Sequence, residues 1–411
     1  HRSAWNMMTI KQEWKDLKIA PELYDSFPPG CPDGATANAF PTDGESFIAP
    51  YQIVTQIYEY LYNTAIFEKG KFRYWDDKSL QIYEHISYEP EKRYECFLKS
   101  WKIHLDNKPA QTLKSTAFIT EFDCSDDGRS IAIDTNAIFN KSQTAMCVIH
   151  EVNAQMGLPQ GFVLKWDSLS NINNLNTDIL VLPSLLKVGA DIKKRIRELY
   201  NAGIALIATS DVSGLEDLFG VASQPKTEKI SRIYYNDEEE YVYPSLCNLP
   251  YVVDDAKCVI RSDNNGIIYQ KGRAMLINAS LSEVGVDSFA FKNAGRANIS
   301  KKIRAAIEEF MNSVARPIAH SESDCGIKIV KTEDGNTLVI LTDYSPYSNE
   351  KSRTVNVWFD DLTVSKVENL SYDEHAINLN CFTNNGIIDG FSVTLRPREV
   401  LIFKVNTDNA L

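Results

Sequence analysis

Several signatures of common protein classes are missing from this sequence of 411 residues. Its eight cysteines include no Cys-x-x-Cys pair, which argues against zinc ribbons and thioredoxin-like redox chemistry. It has no basic stripe, and the net charge is −12, so we expect no nucleic-acid partner. Phosphate-binding loops, dinucleotide-binding glycine motifs and kinase motifs are also missing, and we therefore expect no cofactor.

Long apolar runs and metal-ligand spacings are absent too. The longest apolar stretches, such as residues 179–186, fall well short of the roughly 20 residues of a membrane-spanning helix, so we expect no membrane partner. His85, His104, His150 and His375 show no metal-ligand spacing, so we expect no metal site. The scattered cysteines favour free thiols in a reducing compartment, the cytoplasm, over disulfides.

The first residues lack an initiator methionine, a basic segment and an apolar segment. They are typical of neither a signal peptide nor a native start, and we expect a shortened form of a longer sequence. With 44% hydrophobic and 24% charged residues, the composition is that of a globular protein, and the length fits two or three domains.

Residues 1–111 show the pattern of one β/α unit from the C-terminal end of a (β/α)8 barrel. A short apolar strand is predicted over residues 35–40, followed by a polar turn and a helix from Pro50 to about Glu68. A complete barrel needs roughly 200 residues or more. We therefore expect most barrel strands, and at least one catalytic carboxylate, to lie upstream of His1.

The polar turn contains Asp43 and Glu45, which are the candidate catalytic and substrate-binding residues. Loops after barrel strands form the active-site face, and glycoside hydrolysis needs two carboxyl groups across the scissile bond. Either carboxylate could also hydrogen-bond a sugar hydroxyl, or cap the helix that follows, because acids are stabilised near a helix N-terminus. Trp75 could stack on a sugar ring or pack against a helix end.

Residues 112–320 alternate predicted strands and helices. Buried apolar strands are expected over residues 177–184 and 204–211, with an amphipathic helix over residues 190–201 between them. Continuous Val/Ile/Leu runs flanked by helices indicate a parallel sheet covered on both faces, as in flavodoxin-like and amidotransferase-like domains. The acidic run Asp237–Glu240 could bind Ca²⁺ but lacks the calcium-loop pattern, so a solvated hairpin is favoured.

Residues 321–411 change character. Short alternating strands separated by polar turns such as Glu333-Asp-Gly-Asn and Thr383-Asn-Asn-Gly predict an antiparallel β-sandwich. The chain is thus expected to be α/β overall, with a partial barrel, a parallel-sheet domain and a sandwich in that order.

The stretch from Gly161-Phe-Val-Leu-Lys-Trp to Leu215-Glu-Asp-Leu-Phe-Gly-Val resembles the β-galactosidase trimerisation domain. That domain follows the barrel in some glycoside hydrolases and has the fold of class I glutamine amidotransferases. The resemblance is carried by Thr177-Asp-Ile-Leu-Val-Leu-Pro-Ser and Asn201-Ala-Gly-Ile-Ala-Leu-Ile-Ala-Thr. It implies the C-terminal part of a β-galactosidase-like glycoside hydrolase, acting on oligosaccharides and assembling as a homo-oligomer, a trimer by resemblance.

The resemblance does not extend to amidotransferase chemistry. An amidotransferase needs a cysteine on the sharp turn after a strand, activated by a histidine, whereas Pro183-Ser184 and Ser210-Asp211 are expected at the carboxyl ends of the strands. His320-Ser-Glu322 has the family's His-x-Glu spacing, but without a nucleophile it would be idle. We therefore expect an inert accessory module. The alternatives are an assembly or carbohydrate-interaction module and, more weakly, an amidotransferase-like enzyme using Ser210.

Overall fold

The described part of the chain, in a computed structural model, forms two compact units. The structure describes residues 67–68, 71–72, 106–107, 109–112, 115–119, 148–149, 152–153, 156–159, 162–164, 169, 177–182, 185, 188–279, 281, 284, 286–287, 298–322, 325–332, 334–342, 352–371, 378–395 and 400–407. The first unit contains the described residues from 115 to 153 and from 162 to 316. The second contains those from 67 to 112, from 156 to 159 and from 317 onward.

The secondary structure is dominated by strands. In chain order they are β1 (Phe67–Glu68), β2 (Lys71–Phe72), β3 (Pro109–Thr112), β4 (Ser115–Ile119), β5 (Phe162–Leu164), β6 (Thr177–Leu182), β7 (Ala205–Thr209), β8 (Val221–Tyr235), β9 (Glu238–Val253), β10 (Lys257–Arg261), β11 (Gly266–Lys271), β12 (Ala274–Ile277), β13 (Val286–Asp287), β14 (Asn298–Ile299), β15 (Ala319–Ser321), β16 (Gly326–Thr332), β17 (Thr337–Thr342), β18 (Arg353–Phe359), β19 (Val364–Asn369), β20 (Asn380–Asn384), β21 (Ile387–Leu395) and β22 (Val400–Thr407). The helices described over their whole length are α1 (Ala190–Asn201), α2 (Glu216–Phe219) and α3 (Lys301–Val314).

The first unit is built on a mixed sheet with the strand order β5-β4-β6-β7-β12-β11-β10-β8-β9. Its first five strands, from β5 to β12, are parallel, and the remaining pairs are antiparallel. The predicted parallel sheet therefore forms one half of this sheet. The antiparallel strands β11, β10, β8 and β9 form the other half.

Burial explains the position of the parallel strands. Every residue of β7 is buried, and so is all of β6 except the half-exposed Asp178. Alternate residues of these strands join a core with Ile196 and Leu199 of α1. The opposite faces are also apolar, and the apolar side of α3 is buried through Ile303 and Phe310. The sheet is thus covered on both faces, as its continuous apolar runs predict.

The long hairpin of β8 and β9 turns at Asn236 and Asp237, which both have positive φ angles, 50° and 62°. Asparagine and aspartate tolerate this left-handed conformation, which a two-residue hairpin turn requires. Glu238 beyond the turn is exposed and bonds Lys302 at 2.8 Å. The interpretation of this acidic run as a hairpin is confirmed.

The second unit has the strand order β15-β18-β21-β19-β22-β17-β16-β3, with β20 also pairing with β21. Its core contains side chains from strands at both ends of this strand order. Phe391 of β21 and Phe403 of β22 pack with ring centroids 4.8 Å apart, although β19 lies between the two strands in the sheet. The sheet therefore folds over onto itself, and the apolar faces meet, as in a β-sandwich.

The four-residue strand β3 belongs to this second sheet, because it pairs with β16 through Thr112 and Val330. Pro159 forms an isolated bridge with Ile327 of the same strand. Segments on both sides of β4 thus contribute to the second unit, whereas β4 itself belongs to the first.

One boundary expected from the sequence is wrong. The helix from Pro50 was expected to continue to about Glu68, but Phe67 and Glu68 form β1, which pairs with β2.

Four of the cysteines lie in the described residues, and all four are free thiols: Cys247, Cys258, Cys325 and Cys381. This agrees with the expectation of free thiols at these positions. In the part of the chain that the structure describes, no helix has the length and apolar character needed to cross a membrane.

Candidate functional site

The carboxyl edge of β6, β7 and β12 is where a parallel sheet places its functional loops. The chain leaves β7 through Ser210, whose φ of 65° lies in the left-handed region. The Ser210 N–H donates to the carbonyl of Ile277 at the end of β12, with 2.9 Å between the atoms. Strand β7 therefore ends in a sharp turn that presents a serine, which is the backbone arrangement an activated nucleophile uses.

The loop after Ser210 uses its own backbone donors. The N–H of Val212 donates to the Tyr251 hydroxyl at 2.9 Å. The N–H of Ser213 donates to the carboxylate of Asp211 at 2.9 Å, and that of Gly214 donates to the carboxylate of Glu216 at 2.8 Å. Three consecutive N–H groups are thus occupied, two of them by negative charges. An oxyanion hole needs such donors free and directed at the substrate, so this loop does not supply one.

Among the described residues, none acts as an activating base for Ser210. No histidine or carboxylate side chain hydrogen-bonds its hydroxyl within the described ranges of the chain. A serine is a weak nucleophile unless a neighbouring base takes its proton. The described residues therefore provide the sharp turn but no base beside the Ser210 hydroxyl.

Beneath this edge lies a buried amide network centred on Asn278. Its side-chain N–H₂ group donates to the carbonyls of Tyr251 and Gly266 at 2.9 and 3.0 Å, and its carbonyl oxygen accepts the N–H of Tyr251 at 3.0 Å. Burial raises the pKa of Tyr251, so its hydroxyl stays neutral at neutral pH. These groups hold β9 against β12, and their bonding capacity is used internally.

The sequence did not single out Asn278 or Tyr251 as functional residues. One signal for Asn278 was available, because Asn278 directly follows the apolar run of β12 just as Ser210 follows that of β7. Nothing local marks Tyr251, since its role comes from contacts with residues 212 and 278.

The His-x-Glu spacing at residues 320–322 lies in the second unit. His320 Nδ1 and the Asp360 carboxylate are 2.6 Å apart, and this hydrogen bond raises the pKa of His320 while partial burial opposes the shift. Glu322 accepts a bond from the Asn356 amide at 3.4 Å. Each member of the motif therefore has a partner on the neighbouring strand or the loop beyond it.

The candidate residues of the predicted barrel, Asp43, Glu45 and Trp75, lie outside the described residues. So do Pro183 and Ser184 at the end of β6. Within the described segments, no group of three or more His, Cys, Asp or Glu side chains could hold a metal ion.

A small cavity lies between α3 and the antiparallel strands of the first unit. Its volume is about 80 Å³, and its lining includes Tyr235, Lys257, Gln270 and Glu309. The Tyr235 hydroxyl bonds the Glu309 carboxylate, and burial together with this contact raises the Tyr235 pKa to about 12. The volume is well below the roughly 300 Å³ of small ligand pockets, so this cavity does not suit an oligosaccharide.

Comparison with known proteins gives a fold likeness. No family model matches the sequence, and no curated protein matches it. Among solved structures, the chain is similar to an α-L-fucosidase. This is isoenzyme 2 from Paenibacillus thiaminolyticus, with a TM-score of 0.51 and 12% identity over 78% of this chain and 53% of that chain.

Two β-galactosidases are similar at lower TM-scores. Gan42B, a GH42 β-galactosidase from G. stearothermophilus, has a TM-score of 0.47 and 13% identity over 77% of this chain and 43% of that one. A β-galactosidase from Rahnella sp. R3 has a TM-score of 0.45 and 13% identity over 77% and 44% of the two chains. The chain therefore spans about half the length of these three structures. The likeness to the fucosidase concerns the fold alone.

Proposed function

We propose that the chain is the C-terminal part of a glycoside hydrolase acting on oligosaccharides in the manner of a β-galactosidase. In this proposal residues 1–111 are the end of the catalytic barrel, residues 112–320 an inert amidotransferase-like module, and residues 321–411 a β-sandwich. The catalytic carboxylates belong to the barrel, with Asp43 and Glu45 as candidates and Trp75 as a substrate contact. The free thiols favour the cytoplasm.

The main observation in favour of an inert module is that the backbone N–H groups of the loop after Ser210 are already hydrogen-bonded. A catalytic turn would leave its donors open for a developing oxyanion. Here Asp211 and Glu216 place carboxylates on the N–H groups of Ser213 and Gly214. These carboxylates would repel a negatively charged intermediate, and the N–H groups that could stabilise it are already bonded.

Two further observations support the hydrolase context. The motif order from residue 161 to residue 221 resembles the domain that follows the barrel in some glycoside hydrolases. The α-L-fucosidase likeness extends over more than three quarters of this chain at the level of the fold. Together they favour a carbohydrate-active parent over an unrelated amidotransferase.

Two assays test this proposal. Glutamine hydrolysis should be undetectable for the chain and unchanged by Ser210→Ala, and turnover that this substitution abolishes would contradict the inert module. A panel of aryl glycosides should be hydrolysed poorly by the chain alone and well by a protein that also carries the upstream coding sequence. Full turnover by the chain alone would contradict the partial barrel.

Assembly is a second candidate function, and the surface of the β8–β9 hairpin favours it. Tyr241, Tyr243 and Leu246 are 76%, 81% and 67% exposed, which is unusual for large apolar side chains close together on one strand. In this proposal a second copy of the chain covers them, because homo-oligomers with closed symmetry are the usual assemblies of this kind. By resemblance the assembly is a trimer.

Light scattering on the full chain tests the assembly. We expect a single discrete multiple of the 46.4 kDa protomer mass, reduced to monomer by the double substitution Tyr243→Ser and Leu246→Ser. Ile387→Ser, which alters an exposed apolar side chain of the second unit, is the matched control and should leave the assembly intact. A monomeric wild-type chain at tens of micromolar would contradict the proposal.

A further inference from the structure

A row of side chains crosses four neighbouring strands on the outer face of the second unit. His320 of β15 is paired with Trp358 of β18, Trp358 with Gly390 of β21, and Gly390 with Phe382 of β20. Residues that are directly paired in this way project from the same face of a sheet. The adjacent residues Val357 and Phe391 point the other way and belong to the core. The row therefore lies on the surface of the layer formed by β15, β18, β21 and β20.

Two aromatic rings meet within this row. Trp358 and Phe382 are stacked with ring centroids 4.8 Å apart and an interplanar angle of 26°. Gly390 between them has no side chain, and a Cβ there would lie 3.1 Å from the Trp358 ring and 3.3 Å from the Phe382 ring. Glycine thus allows the two rings to approach across an intervening strand. Both rings are only partly buried.

A second row, two residues further along each strand, is polar throughout. Asn356 of β18 is paired with Ser392 of β21, and Ser392 with Asn380 of β20. Glu322 joins this row through its bond from the Asn356 amide. The aromatic pair is therefore bordered on one side by amide, hydroxyl and carboxylate groups.

A third row continues the polar surface. Thr354 is paired with Thr394, whose hydroxyl accepts a bond from the Asn378 amide at 3.1 Å. The His320–Asp360 pair lies at the end of the aromatic row on the β15 side. The face thus combines one small apolar platform with many hydrogen-bonding groups that carry little net charge.

We propose that this face, the Trp358–Phe382 platform, binds a sugar residue of an oligosaccharide. The apolar C–H side of a pyranose ring packs on the aromatic pair, and its hydroxyl groups exchange hydrogen bonds with Asn356, Asn380 and Ser392. The choice of ligand class rests on the proposed glycoside hydrolase function, whereas the geometry of the site does not.

The composition of the face favours a sugar over a protein partner. A protein interface of ordinary size buries about 800 Å² on each side around an apolar centre. Here the apolar part is limited to two rings, and the surrounding rows are hydrogen-bonding groups. Sugars present the same combination, since each ring has an apolar side and a rim of hydroxyl groups that both donate and accept.

Saturation-transfer NMR on the full chain, with lactose, galactotriose, cellotriose and maltotriose as probes, tests the platform. We expect at least one of these sugars to bind at millimolar concentration or below. Trp358→Ala should weaken that binding at least tenfold, and Asn380→Ala several-fold. Asn380 is exposed on an outer strand, so its substitution tests the site even where loss of the tryptophan perturbs folding. Ile387→Ala, on the exposed end of β21, is the matched control and should bind like wild type.

The outcomes separate the platform from the proposed function. Wild-type binding that both Trp358→Ala and Asn380→Ala leave unchanged would contradict the platform. The absence of binding by every probe at 10 mM would also contradict it, because that concentration is about ten times a millimolar Kd. Hydrolysis of aryl glycosides is measured on the same samples. Sugar binding without hydrolysis by any form of the protein would support the platform and contradict the proposed hydrolase function. Hydrolysis without sugar binding at the platform would support the hydrolase function and contradict the platform.

Discussion

The carboxylate of Glu240 accepts a hydrogen bond from the hydroxyl of Ser300, with 2.7 Å between the two oxygens. The same carboxylate accepts the backbone N–H groups of Lys301 and Lys302 at 3.0 and 2.9 Å. Ser300 is the N-cap of α3, and its oxygen accepts the N–H of Ile303. Two side chains from distant parts of the sequence thus occupy the first N–H groups of the helix, which would otherwise have no partner.

We expect Glu240→Gln to lower the free energy of unfolding by about 1 kcal/mol, because it removes a negative charge from a helix N-terminus. Glu239→Gln is the matched control, since Glu239 is exposed beside it and is paired with Tyr234 of β8. Urea denaturation of the two variants and the wild-type chain measures the difference. Equal stability of the two variants would show that Glu240 does not cap α3.

Thr209 at the end of β7 has a buried hydroxyl with no hydrogen-bond partner in the described structure. A buried polar group without a partner costs about 1–3 kcal/mol. We therefore expect Thr209→Val to raise the free energy of unfolding by about 1 kcal/mol. Thr227→Val is the control, because the Thr227 hydroxyl is exposed and bonded to Asn248. A thermal unfolding midpoint that falls in Thr209→Val would show that the hydroxyl has a partner.

The His320–Asp360 pair predicts a pH-dependent contribution to stability. The hydrogen bond to Asp360 raises the pKa of His320 above its ordinary value. The stabilisation is therefore complete below the unfolded pKa of roughly 6.5 and is lost as pH rises through the higher pKa of the folded protein. Asp360→Asn should lower the His320 pKa, as measured by NMR titration of the imidazole.

Asp361→Asn provides the control for that titration, because it removes the same charge one residue away. We expect it to change the His320 pKa much less than Asp360→Asn does. Equal effects of the two substitutions would attribute the shift to net charge and not to the hydrogen bond.

Lys328 of β16 is fully buried, and burial lowers its pKa to about 7. Between that value and the ordinary lysine pKa of roughly 10.4, the unfolded chain binds a proton that the folded chain does not. Stability should therefore rise with pH above 7, by about 1.4 kcal/mol per pH unit at most. Lys328→Met should remove this slope in urea denaturation at pH 7, 8 and 9. Lys331→Met, on the same strand but less buried, should retain it.

The parts of the fold that the sequence predicted are those coded by local periodicity. The buried run of β6, the helix α1 and the buried run of β7 lie where the apolar pattern placed them. Each of these signals lies within about twelve residues, which is the range over which apolar spacing is informative.

The features that the sequence did not predict depend on distant residues. Glu240 caps a helix 60 residues further along, a contact that no local pattern encodes. Trp358 was visible as an aromatic at an outward position, because Val355 and Val357 alternate with it, but its partner Phe382 is supplied by a different hairpin. The occupied loop after Ser210 likewise depends on Tyr251, which lies on β9.

The pairing of β3 with β16 determines when the second unit can be completed during synthesis on the ribosome. Thr112 finds its partner Val330 only after 218 further residues have been made. Pro159, which bridges Ile327, also waits for β16. Until then these two segments lack the strand with which they pair, and closing so long a loop is entropically costly and slow. The nascent chain must therefore keep β3 unpaired while β4, which begins three residues after it ends, can already find its partners in the first unit.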